Sequence, residues 1–482
     1  MAARHRHRLH LWCVAAALVA AGGSCQRPDG ARFLGKIEPG VVPDRFRVSD
    51  DARHVAFVAE QADKQWVAFD GRRGKAYDAV GNLLIANSGH LAYVATRGGR
   101  QFVVRDTVET GPYDAVGQLL LGRDNDRLSY PARKAGRSMM VTDGKVIGEY
   151  DEVSFPTLDP AGQRLAYLAR TGGHWSVVLD GQPEADFEEV NPPYFAGGGR
   201  HLAYTARRES LWFAVVDGNV GNGYQSIRSP ILVNAEGTHQ AYIGVSDKRM
   251  FVVRDEKASR PYDLVLRIAA LADLSLLAYA AKSGDSWVVV ADESELGKYR
   301  LVYEVTPLAD GHVAFLASLG DSWRLVTDAE VGRASYFGLG EMVVSPDRLR
   351  FAFMAERAGR QHAVVDGSDG PPYDAVSRLE FSPDSRRLGY AAQRGAKWTV
   401  VVDGSEGPWY DAVVESPRFF SADSRHYAYG AAQGRKRVLV IDGAEQPSEY
   451  DGIRQVTLSE PGIVRFVALR EDSLFSVTRR VK

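Results

Sequence analysis

Residues 381–413 read FSPDSRRLGYAAQRGAKWTVVVDGSEGPWYDAV, and this stretch is one copy of a unit that recurs from about residue 41 to the C-terminus. In each copy an apolar run ends in an aspartate, and these aspartates recur every 36 to 39 residues. They are Asp70, Asp106, Asp143, Asp180, Asp217, Asp255, Asp292, Asp328, Asp366, Asp403 and Asp442. A repeat of this length is typical of solenoids and propellers.

Two further positions keep the same phase. An aromatic residue follows the aspartate by seven or eight residues in every copy, as Tyr373 follows Asp366. Upstream, a small residue precedes another aromatic residue, as in Ala352-Phe353. Three markers in phase over eleven copies establish the repeat.

One copy predicts four short strands. The turn clusters are SPDS, RGAK and DGSEG. Between and around them lie SRLEF, RLGYAA, WTVVVD and WYDAV, which are rich in residues that favour strands. Such a unit exposes both faces, and radial stacking covers them in a β-propeller. A linear β-solenoid is the rival, but its coils are usually shorter and lack three hairpins per repeat. We therefore predict an all-β propeller fold.

The number of units is about twelve. Residues 454–482 contain RQVTL, VRFVAL and SLFSVT, which match three strands of a twelfth unit, and Phe33–Ile37 is a candidate for its missing fourth strand. Typical propellers have four to eight blades. We therefore expect two six-bladed propellers, over residues 41–265 and 266–482. One propeller inserted into the other and a single large ring are the alternatives.

The units resemble a known family. The turns Ser345-Pro346-Asp347 and Ser382-Pro383-Asp384, followed by a tyrosine or phenylalanine strand and by Val-Val-x-Asp-Gly, resemble the WD-repeat-like units of TolB-type propellers. The resemblance covers nearly all of the chain after residue 40, and it implies a propeller and an envelope setting. TolB carries an additional N-terminal α/β domain that nothing here resembles, so its role is not implied.

The repeat is least regular between residues 190 and 340. Copies there lack the Ser-Pro-Asp turn and depart from the Tyr-Asp pair, as at Tyr299-Arg300 and Tyr336-Phe337. This drift indicates either a specialised face or a relaxation of the repeat.

The first residues have the pattern of a targeting segment. Three arginines precede an apolar stretch of eleven residues, Leu11–Ala21, which is too short to span a membrane. The sequence Ala-Gly-Gly-Ser-Cys that ends at Cys25 resembles a bacterial lipoprotein signal. We therefore predict a signal peptide over residues 1–24 and lipidation of Cys25. Gly22 stands where that family prefers a leucine-like residue, which leaves ordinary secretory cleavage as the alternative.

Cysteine usage agrees with lipidation. The chain has two cysteines, and Cys13 lies inside the predicted signal, so the mature form keeps Cys25 alone. An unpaired thiol is unusual in a secreted protein, and lipidation explains it. By resemblance to lipoprotein sorting, Gln26 favours the outer membrane. Residues 25–40 then form a tether with a possible closing strand.

The charge excludes one class of partner. The net charge of −2 becomes −5 for the mature form, because residues 1–24 contribute three arginines and no acids. The sequence has no basic run. A nucleic-acid partner is therefore not expected.

Candidate metal and catalytic residues follow the repeat. Six histidines share one position, three residues before the strand aromatic: His54, His90, His201, His239, His312 and His426. Arg127, Arg164, Arg350 and Arg387 occupy it in other copies. We interpret this position as a structural polar residue at the end of a strand. The Asp-Gly pairs supply too few oxygens for calcium, and tight turns explain them. We therefore expect no metal and no cofactor.

Tryptophans also follow the repeat. Trp175, Trp212, Trp287, Trp323 and Trp398 lie five residues before the repeat aspartate, and Trp66 lies four before it. They are predicted to pack between blades. Trp409 is out of phase and is the aromatic residue most in need of an exposure test.

No catalytic motif is present: the sequence has no nucleophile elbow, phosphate loop or dinucleotide fingerprint. The leading hypothesis is a non-enzymatic scaffold of the bacterial cell envelope, anchored to the membrane by lipid, whose faces bind a protein or an envelope polymer. The alternatives are a propeller enzyme of the lactonase, lyase or glycan-cleaving kind and a small-ligand sensor. Both would place their site in the central funnel.

Overall fold

The computed structural model describes residues 30–37, 40–122, 126–328, 330–414, 418–447 and 450–481. The predicted signal peptide (residues 1–24) and Cys25 lie outside the described residues. Within the described ranges, no helix is long and apolar enough to cross a membrane.

The described residues form fifty strands. The first is β1 (Ala31–Lys36). Blades 1 to 3 contain β2 (Val41–Val48), β3 (Val55–Gln61), β4 (Lys64–Phe69), β5 (Arg72–Arg73), β6 (Ala79–Ile85), β7 (Leu91–Arg97), β8 (Arg100–Arg105), β9 (Val108–Tyr113), β10 (Ala115–Val116), β11 (Leu120–Leu121), β12 (Leu128–Lys134), β13 (Arg137–Thr142) and β14 (Lys145–Tyr150). Blades 4 to 6 contain β15 (Glu152–Leu158), β16 (Leu165–Thr171), β17 (His174–Leu179), β18 (Gln182–Phe187), β19 (Glu189–Val190), β20 (Tyr194–Ala196), β21 (His201–Arg208), β22 (Leu211–Val216), β23 (Asn219–Tyr224), β24 (Ser226–Val233), β25 (Gln240–Ser246), β26 (Arg249–Arg254) and β27 (Lys257–Ala258).

The second half continues the pattern. Blades 7 to 9 contain β28 (Leu264–Ala270), β29 (Leu277–Ser283), β30 (Ser286–Ala291), β31 (Ser294–Tyr299), β32 (Leu301–Pro307), β33 (Val313–Leu319), β34 (Ser322–Thr327), β35 (Glu330–Val331), β36 (Gly338–Val344), β37 (Phe351–Arg357), β38 (Arg360–Val365) and β39 (Ser368–Asp369). Blades 10 to 12 contain β40 (Ala375–Phe381), β41 (Leu388–Arg394), β42 (Lys397–Val402), β43 (Ser405–Glu406), β44 (Ala412–Val414), β45 (Ala428–Gln433), β46 (Lys436–Ile441), β47 (Ala444–Gln446), β48 (Gly452–Glu460), β49 (Ile463–Arg470) and β50 (Ser473–Arg480).

These strands form twelve antiparallel sheets, which confirms the predicted all-β propeller fold. In eleven sheets the strands follow one another in chain order, and in blades 3 and 5 the first strand is split in two. A single 3₁₀ turn, Gly197–Gly199, is the one helical element of the described chain. The blades are thus the four-stranded units that the repeat predicts.

The predicted position of the fourth strand was wrong for the quoted unit, although in five other blades the fourth strand does reach the aromatic residue. In the unit of residues 381–413 the fourth strand is Ser405–Glu406, which directly follows a two-residue turn. The piece WYDAV does not form that strand. Tyr410 makes an isolated bridge with Trp398, and the next blade begins at Ala412. The tight turn starts the fourth strand early, which leaves the aromatic residue to cover the next blade.

Packing between blades explains the small-then-aromatic pair. Side chains alternate along a strand, so the two residues face opposite neighbours. Ala203 of blade 5 lies in one cluster with Tyr242 of blade 6, and Ala166 of blade 4 lies with Tyr204 of blade 5. The alanine leaves room for the ring of the following blade.

A second aromatic residue completes each contact between blades. Tyr77, at the end of blade 1, meets Tyr93 of blade 2 edge to face, with ring centroids 6.2 Å apart. Equivalent pairs follow at ten more interfaces, through Tyr450 and Phe466. Edge-to-face pairs of this kind each contribute about 0.5–1.5 kcal/mol beyond their buried area.

The ring closes through the N-terminal strand. β1 pairs with β50 and completes the sheet of blade 12, so the prediction that Phe33–Ile37 closes the ring is confirmed, with bounds Ala31–Lys36. Leu34 lies in one apolar cluster with Val467 of blade 12 and Phe57 of blade 1. Blade 12 therefore packs directly against blade 1.

The expected division into two six-bladed propellers near residue 265 was wrong. Blades 6 and 7 share a full cluster, in which Ala241 and Met250 contact Val265 and Tyr279. Every other consecutive pair shares one too, so the twelve sheets form a single ring. The expectation was based on the usual number of blades. That number is not fixed, because the angle between neighbouring blades can change with the number of blades in the ring.

The first strands line the centre of the ring. First strands of neighbouring blades approach each other, as β2 with β6 and β28 with β32, whereas fourth strands such as β9 and β31 contact the second strand of the next blade. The blades therefore narrow toward their first strands. Twelve sheets that are about 10 Å apart at the middle of the blade, with strands about 4.8 Å apart within each blade, leave a central channel. It measures roughly 24 Å across between the backbones of opposite first strands.

Electron microscopy of the purified protein tests the ring. We expect single-particle averages to show one disc with one central hole and twelve radial divisions, because each blade covers its neighbour on both sides. Particles with two lobes, each with its own hole, would contradict this arrangement.

Candidate interaction surface

The ring has two faces with different chemistry. The turns between first and second strands and between third and fourth strands lie on one side, which we call the Asp-Gly face after Asp403-Gly404 and its equivalents. The hairpins between second and third strands and the connections between blades lie on the other side. We call this the Tyr-Asp face, after Tyr410-Asp411 and its equivalents.

The repeat aspartate organises the Asp-Gly face. Asp403 and Gly404 have φ values of 52° and 78°, as the turn of a two-residue hairpin requires. The Oδ1 atom of Asp403 accepts the backbone N–H of Leu388 at 3.0 Å, and the Asp403 N–H donates to the Leu388 carbonyl. All eleven repeat aspartates accept this bond. The carboxylate thus closes the second strand of its own blade.

The histidine or arginine three residues before the strand aromatic pairs with the same aspartate. His54 Nδ1 lies 2.7 Å from Asp70 Oδ2, and Arg387 Nε lies 2.9 Å from Asp403 Oδ2. Seven further pairs are formed by His90, Arg164, His201, His239, His312, Arg350 and His426 with the aspartates of their own blades. The hydrogen bond to Asp328 raises the pKa of His312. Within the described ranges no three His, Cys, Asp or Glu side chains form a metal-holding group.

Several of these side chains also reach the next blade. Arg387 Nη1 donates to the Arg425 carbonyl at 3.2 Å, and Arg164 Nη1 donates to the Arg200 carbonyl at 2.7 Å. In the Ser-Pro-Asp turns, the Ser382 hydroxyl donates to Asp384, whose backbone N–H donates to Ser424 of the next blade. The Ser382 hydrogen bond lowers the pKa of Asp384. The polar groups of this face are therefore used to join blades.

An ion pair joins blades on the Tyr-Asp face. Asp411 lies 2.6 Å from Lys397 of the preceding blade and accepts the backbone N–H of Gly434 in the next hairpin. The Gly434 hydrogen bond, followed by that from Lys397, lowers the pKa of Asp411. Equivalent pairs are Lys64–Asp78, Arg100–Asp114, Arg137–Asp151, Arg249–Asp263 and Arg360–Asp374. We call these six pairs the staples.

Five of the eleven Tyr-Asp positions have no staple among the described residues. Asp451 keeps the backbone bond, from the Glu471 N–H, but forms no ion pair with the preceding hairpin, and at the other four positions both residues of the staple differ. The position of the aspartate is occupied by Glu188, Gln225, Arg300 and Phe337. The position of its basic partner is occupied, in the same order, by His174, Leu211, Ser286 and Ser322. Three of these four aspartate replacements fall between residues 190 and 340, where the repeat drifts. The two charged replacements pair with other residues, Glu188 with Arg207 at 3.8 Å and Arg300 with Asp321 at 3.6 Å.

At two adjacent interfaces the lost staple leaves exposed apolar side chains. Phe337 takes the aspartate position between blades 8 and 9 and is 67% exposed, although its backbone N–H still donates to the Glu356 carbonyl. Leu301 begins the first strand of blade 8 and is 46% exposed, and Leu319 in the neighbouring hairpin is 36% exposed. All three lie toward the Tyr-Asp face in blade 8 or at its boundary with blade 9, and we call them together the apolar patch.

Aromatic and charged residues border the apolar patch. Tyr303, two residues along the strand from Leu301, contacts Trp323 edge to face with centroids 6.3 Å apart. Arg300 lies 3.6 Å from Asp321, and both side chains are exposed. The result is an apolar centre with a charged edge.

The channel wall is built from bulges in the first strands. Asn82, Phe155, Glu304, Arg378 and Gln455 occupy one bulge position with φ near +50°, which is uncommon for residues other than glycine. Several side chains there contact the next blade. Arg45 Nη1 donates to the Val80 carbonyl at 2.6 Å, and Arg267 lies 3.5 Å from Glu304. These charged groups are distributed around the wall, blade by blade.

A cavity of about 370 Å³ opens between blades 3 and 4. Half of its lining is leucine and proline, namely Leu120, Leu121, Pro156, Leu158 and Pro160. The polar members are Gln118, Thr157 and Asp159. Its lining contains no aromatic residue, in contrast to the aromatic funnel that a sugar sensor would need.

The tryptophans occupy packing positions, as their phase indicates. Trp66 is buried, and the five tryptophans that lie five residues before the aspartate are half-buried. Trp409 is half-buried as well, and the guanidinium of Arg394 lies 4.9 Å from its ring centre. On the Tyr-Asp face the exposed aromatic residue is instead Phe337. In the sequence this position stands out because phenylalanine replaces the aspartate of the Tyr-Asp pair.

Comparisons with known proteins identify no family for this chain and find only distant similarity to solved structures. No protein-family model matches the chain, and no curated protein sequence does. A crystal structure of the eukaryotic initiation factor matches 66% of this chain and 95% of its own, at 13% identity and a TM-score of 0.37. The β-propeller domain of the Trilobed protease from Pyrococcus furiosus matches 53% of this chain and 93% of its own, at 12% identity and a TM-score of 0.27. TolB from Acinetobacter baumannii matches 49% of this chain and 75% of its own, at 10% identity and a TM-score of 0.22.

Substitution of a repeat aspartate tests its role. We expect Asp403→Ala to destabilise the protein by about 2 kcal/mol, because the Leu388 N–H and Arg387 lose their acceptor. Asp403→Asn is the matched control, since asparagine keeps an acceptor oxygen and tolerates positive φ. Thermal unfolding and amide exchange at Leu388 measure the effect. Equal stability of the alanine variant and the wild type would refute this role.

Proposed function

We propose that the protein is a non-enzymatic binding scaffold and that the apolar patch on the Tyr-Asp face of blades 8 and 9 binds a protein partner. The observation that carries this proposal is the exposure of Phe337 at a position that six other interfaces use for a staple. The ring fold is compatible with such a scaffold, although a fold by itself does not specify a function.

The composition of the patch fits a protein partner. Aromatic and large apolar side chains are enriched in the centre of protein interfaces, and charged residues form their rim. Phe337, Leu301 and Leu319 provide that centre, and Arg300 and Asp321 provide charged groups at the edge. An envelope polymer of sugars would instead favour hydrogen-bonding groups, most of which are used between blades on this ring.

The location is a further part of the proposal and rests on the sequence. We infer that Cys25 is lipidated after removal of residues 1–24, which anchors the ring in the bacterial envelope, at the outer membrane. The mature chain has no other cysteine. Several acyl chains on one cysteine suffice for stable anchoring, because each buried CH₂ contributes about 0.8 kcal/mol.

Cross-linking in intact cells with a C-terminal tag tests the patch. We expect Phe337→Asp to reduce capture of the partner about tenfold, because a charge would stand at the apolar centre of the interface. Leu349→Asp is the matched control: Leu349 is 52% exposed on the same blade but lies on the Asp-Gly face. Undiminished capture by the Phe337 variant, or equal loss in both variants, would count against the patch.

A cysteine variant tests the anchor. We expect Cys25→Ser to abolish fatty-acid labelling and to release the protein into the soluble fraction, because the acylated sulfur is removed. Membrane fractionation and metabolic labelling provide the measurement. A variant that remains labelled or remains with the membrane would show that the anchor lies elsewhere.

A further inference from the structure

The direction of β1 determines where the N-terminal segment leaves the ring. β1 pairs antiparallel with β50, with Ala31 opposite Val477 and Lys36 opposite Ser473. β50 begins at the hairpin after β49, on the Tyr-Asp face, and it ends on the Asp-Gly face. The start of β1 is therefore on the Asp-Gly face, where the Gly30 carbonyl accepts the Thr478 N–H at 3.0 Å.

The tether to the proposed anchor is short. Gly30 is the fifth residue after Cys25, and an extended chain spans at most about 3.6 Å per residue. The Asp-Gly end of blade 12 would thus lie within roughly 18 Å of a membrane that holds Cys25. Blade 12 meets blade 1 here, and we call this part of the ring the seam.

Basic side chains predominate at the Asp-Gly end of the seam. Among the described residues within two positions of its turns there are seven arginines and four carboxylates: Arg32, Arg47, Arg53, Arg72, Arg73, Arg479 and Arg480, and Asp50, Asp51, Asp70 and Glu460. Arg32 pairs with Asp70 at 3.2 Å, and Arg53 pairs with Glu460 at 2.6 Å. Arg72 and Arg480 are exposed.

The opposite end of the seam has the opposite sign. The described residues there include six carboxylates and three basic side chains: Glu60, Asp63, Asp78, Asp451, Glu471 and Asp472, and Lys36, Lys64 and Arg470. The seam therefore has an excess of three positive charges on one face and of three negative charges on the other. This contrast occurs in a chain whose net charge is −2.

We propose that the Asp-Gly end of the seam lies on anionic lipid headgroups, so that the Tyr-Asp face points away from the membrane. Arginines near a surface of anionic lipids are attracted to it, and a basic patch is a common second signal beside a lipid chain. The carboxylates of the opposite end are repelled by the same surface. This orientation leaves the apolar patch accessible to a partner. It rests on the proposed anchor at Cys25.

Fluorescence quenching on vesicles tests the orientation. Lipidated Cys25 has no free thiol, so a single added cysteine can be labelled at either end of the seam, by Asp50→Cys or Asp472→Cys. Full-length lipidated protein is placed on phosphatidylcholine vesicles with phosphatidylglycerol and a headgroup quencher. We expect the label at position 50 to be quenched roughly threefold more than the label at position 472, because the basic end faces the headgroups.

Charge reversal supplies the control. Arg72→Glu with Arg480→Glu should remove the difference between the labels, whereas Lys134→Glu with Lys248→Glu, in exposed hairpins of the Tyr-Asp face, should leave it unchanged. Equal quenching at the two positions, or stronger quenching at position 472, would overturn the proposal.

Separate measurements test the proposed anchor and the proposed orientation. If mass spectrometry finds no acyl group on Cys25, the proposed anchor is refuted. The full chain from Gly30, which contains all twelve blades and their closing strand, is then held on nickel-chelating lipid by an N-terminal hexahistidine tag. The same two labels again decide the orientation: a difference between them supports it, and equal quenching refutes it.

Discussion

The packing of one blade on the next is the interaction on which this structure depends. A four-stranded sheet of about 37 residues has two apolar faces and no core of its own, so each blade is stable only between two neighbours. Alanines such as Ala203 and rings such as Tyr242 make the two sides complementary. Complementary sides repeat until the chain closes, and β1 provides that closure by completing blade 12. Without β1, the edge of β50 would be unpaired, and such an edge invites association with other chains.

The polar groups of the repeat have a structural role that follows from this packing. A buried or half-buried carboxylate needs donors, and the repeat aspartate obtains them from its own second strand and from the histidine or arginine beside it. This explains why histidines recur without forming a metal site in the described part of the chain. Because the regular repeat positions have structural roles, the positions that depart from the repeat are better candidates for functional residues. Phe337 and Arg300 replace staple aspartates, and their basic partners are replaced as well.

Much of the fold could be predicted from the sequence because its determinants are local and repeated. The turn at Asp403-Gly404 and the alternation in RLGYAA specify a blade without reference to distant residues. The number of rings could not be predicted, because the interface at Val265 has the same residue types as every other interface. The apolar patch was visible only as drift at Tyr336-Phe337. Whether drift exposes a side chain depends on neighbours in two blades, and a single repeat does not contain that information.

The seam differs from the other interfaces because it joins the two ends of the chain. Repeat positions are constrained by neighbours on both sides, whereas the N-terminal strand and the last turns are constrained only by closure. Lys36 of β1 pairs with Asp472 on one face, and Arg32 of β1 pairs with Asp70 on the other. Charges at the seam can therefore be selected for a purpose other than packing. Their separation into a basic and an acidic end, at the point where the tether leaves the ring, is consistent with a purpose in orientation. A ring held by one flexible point could otherwise present either face to its surroundings.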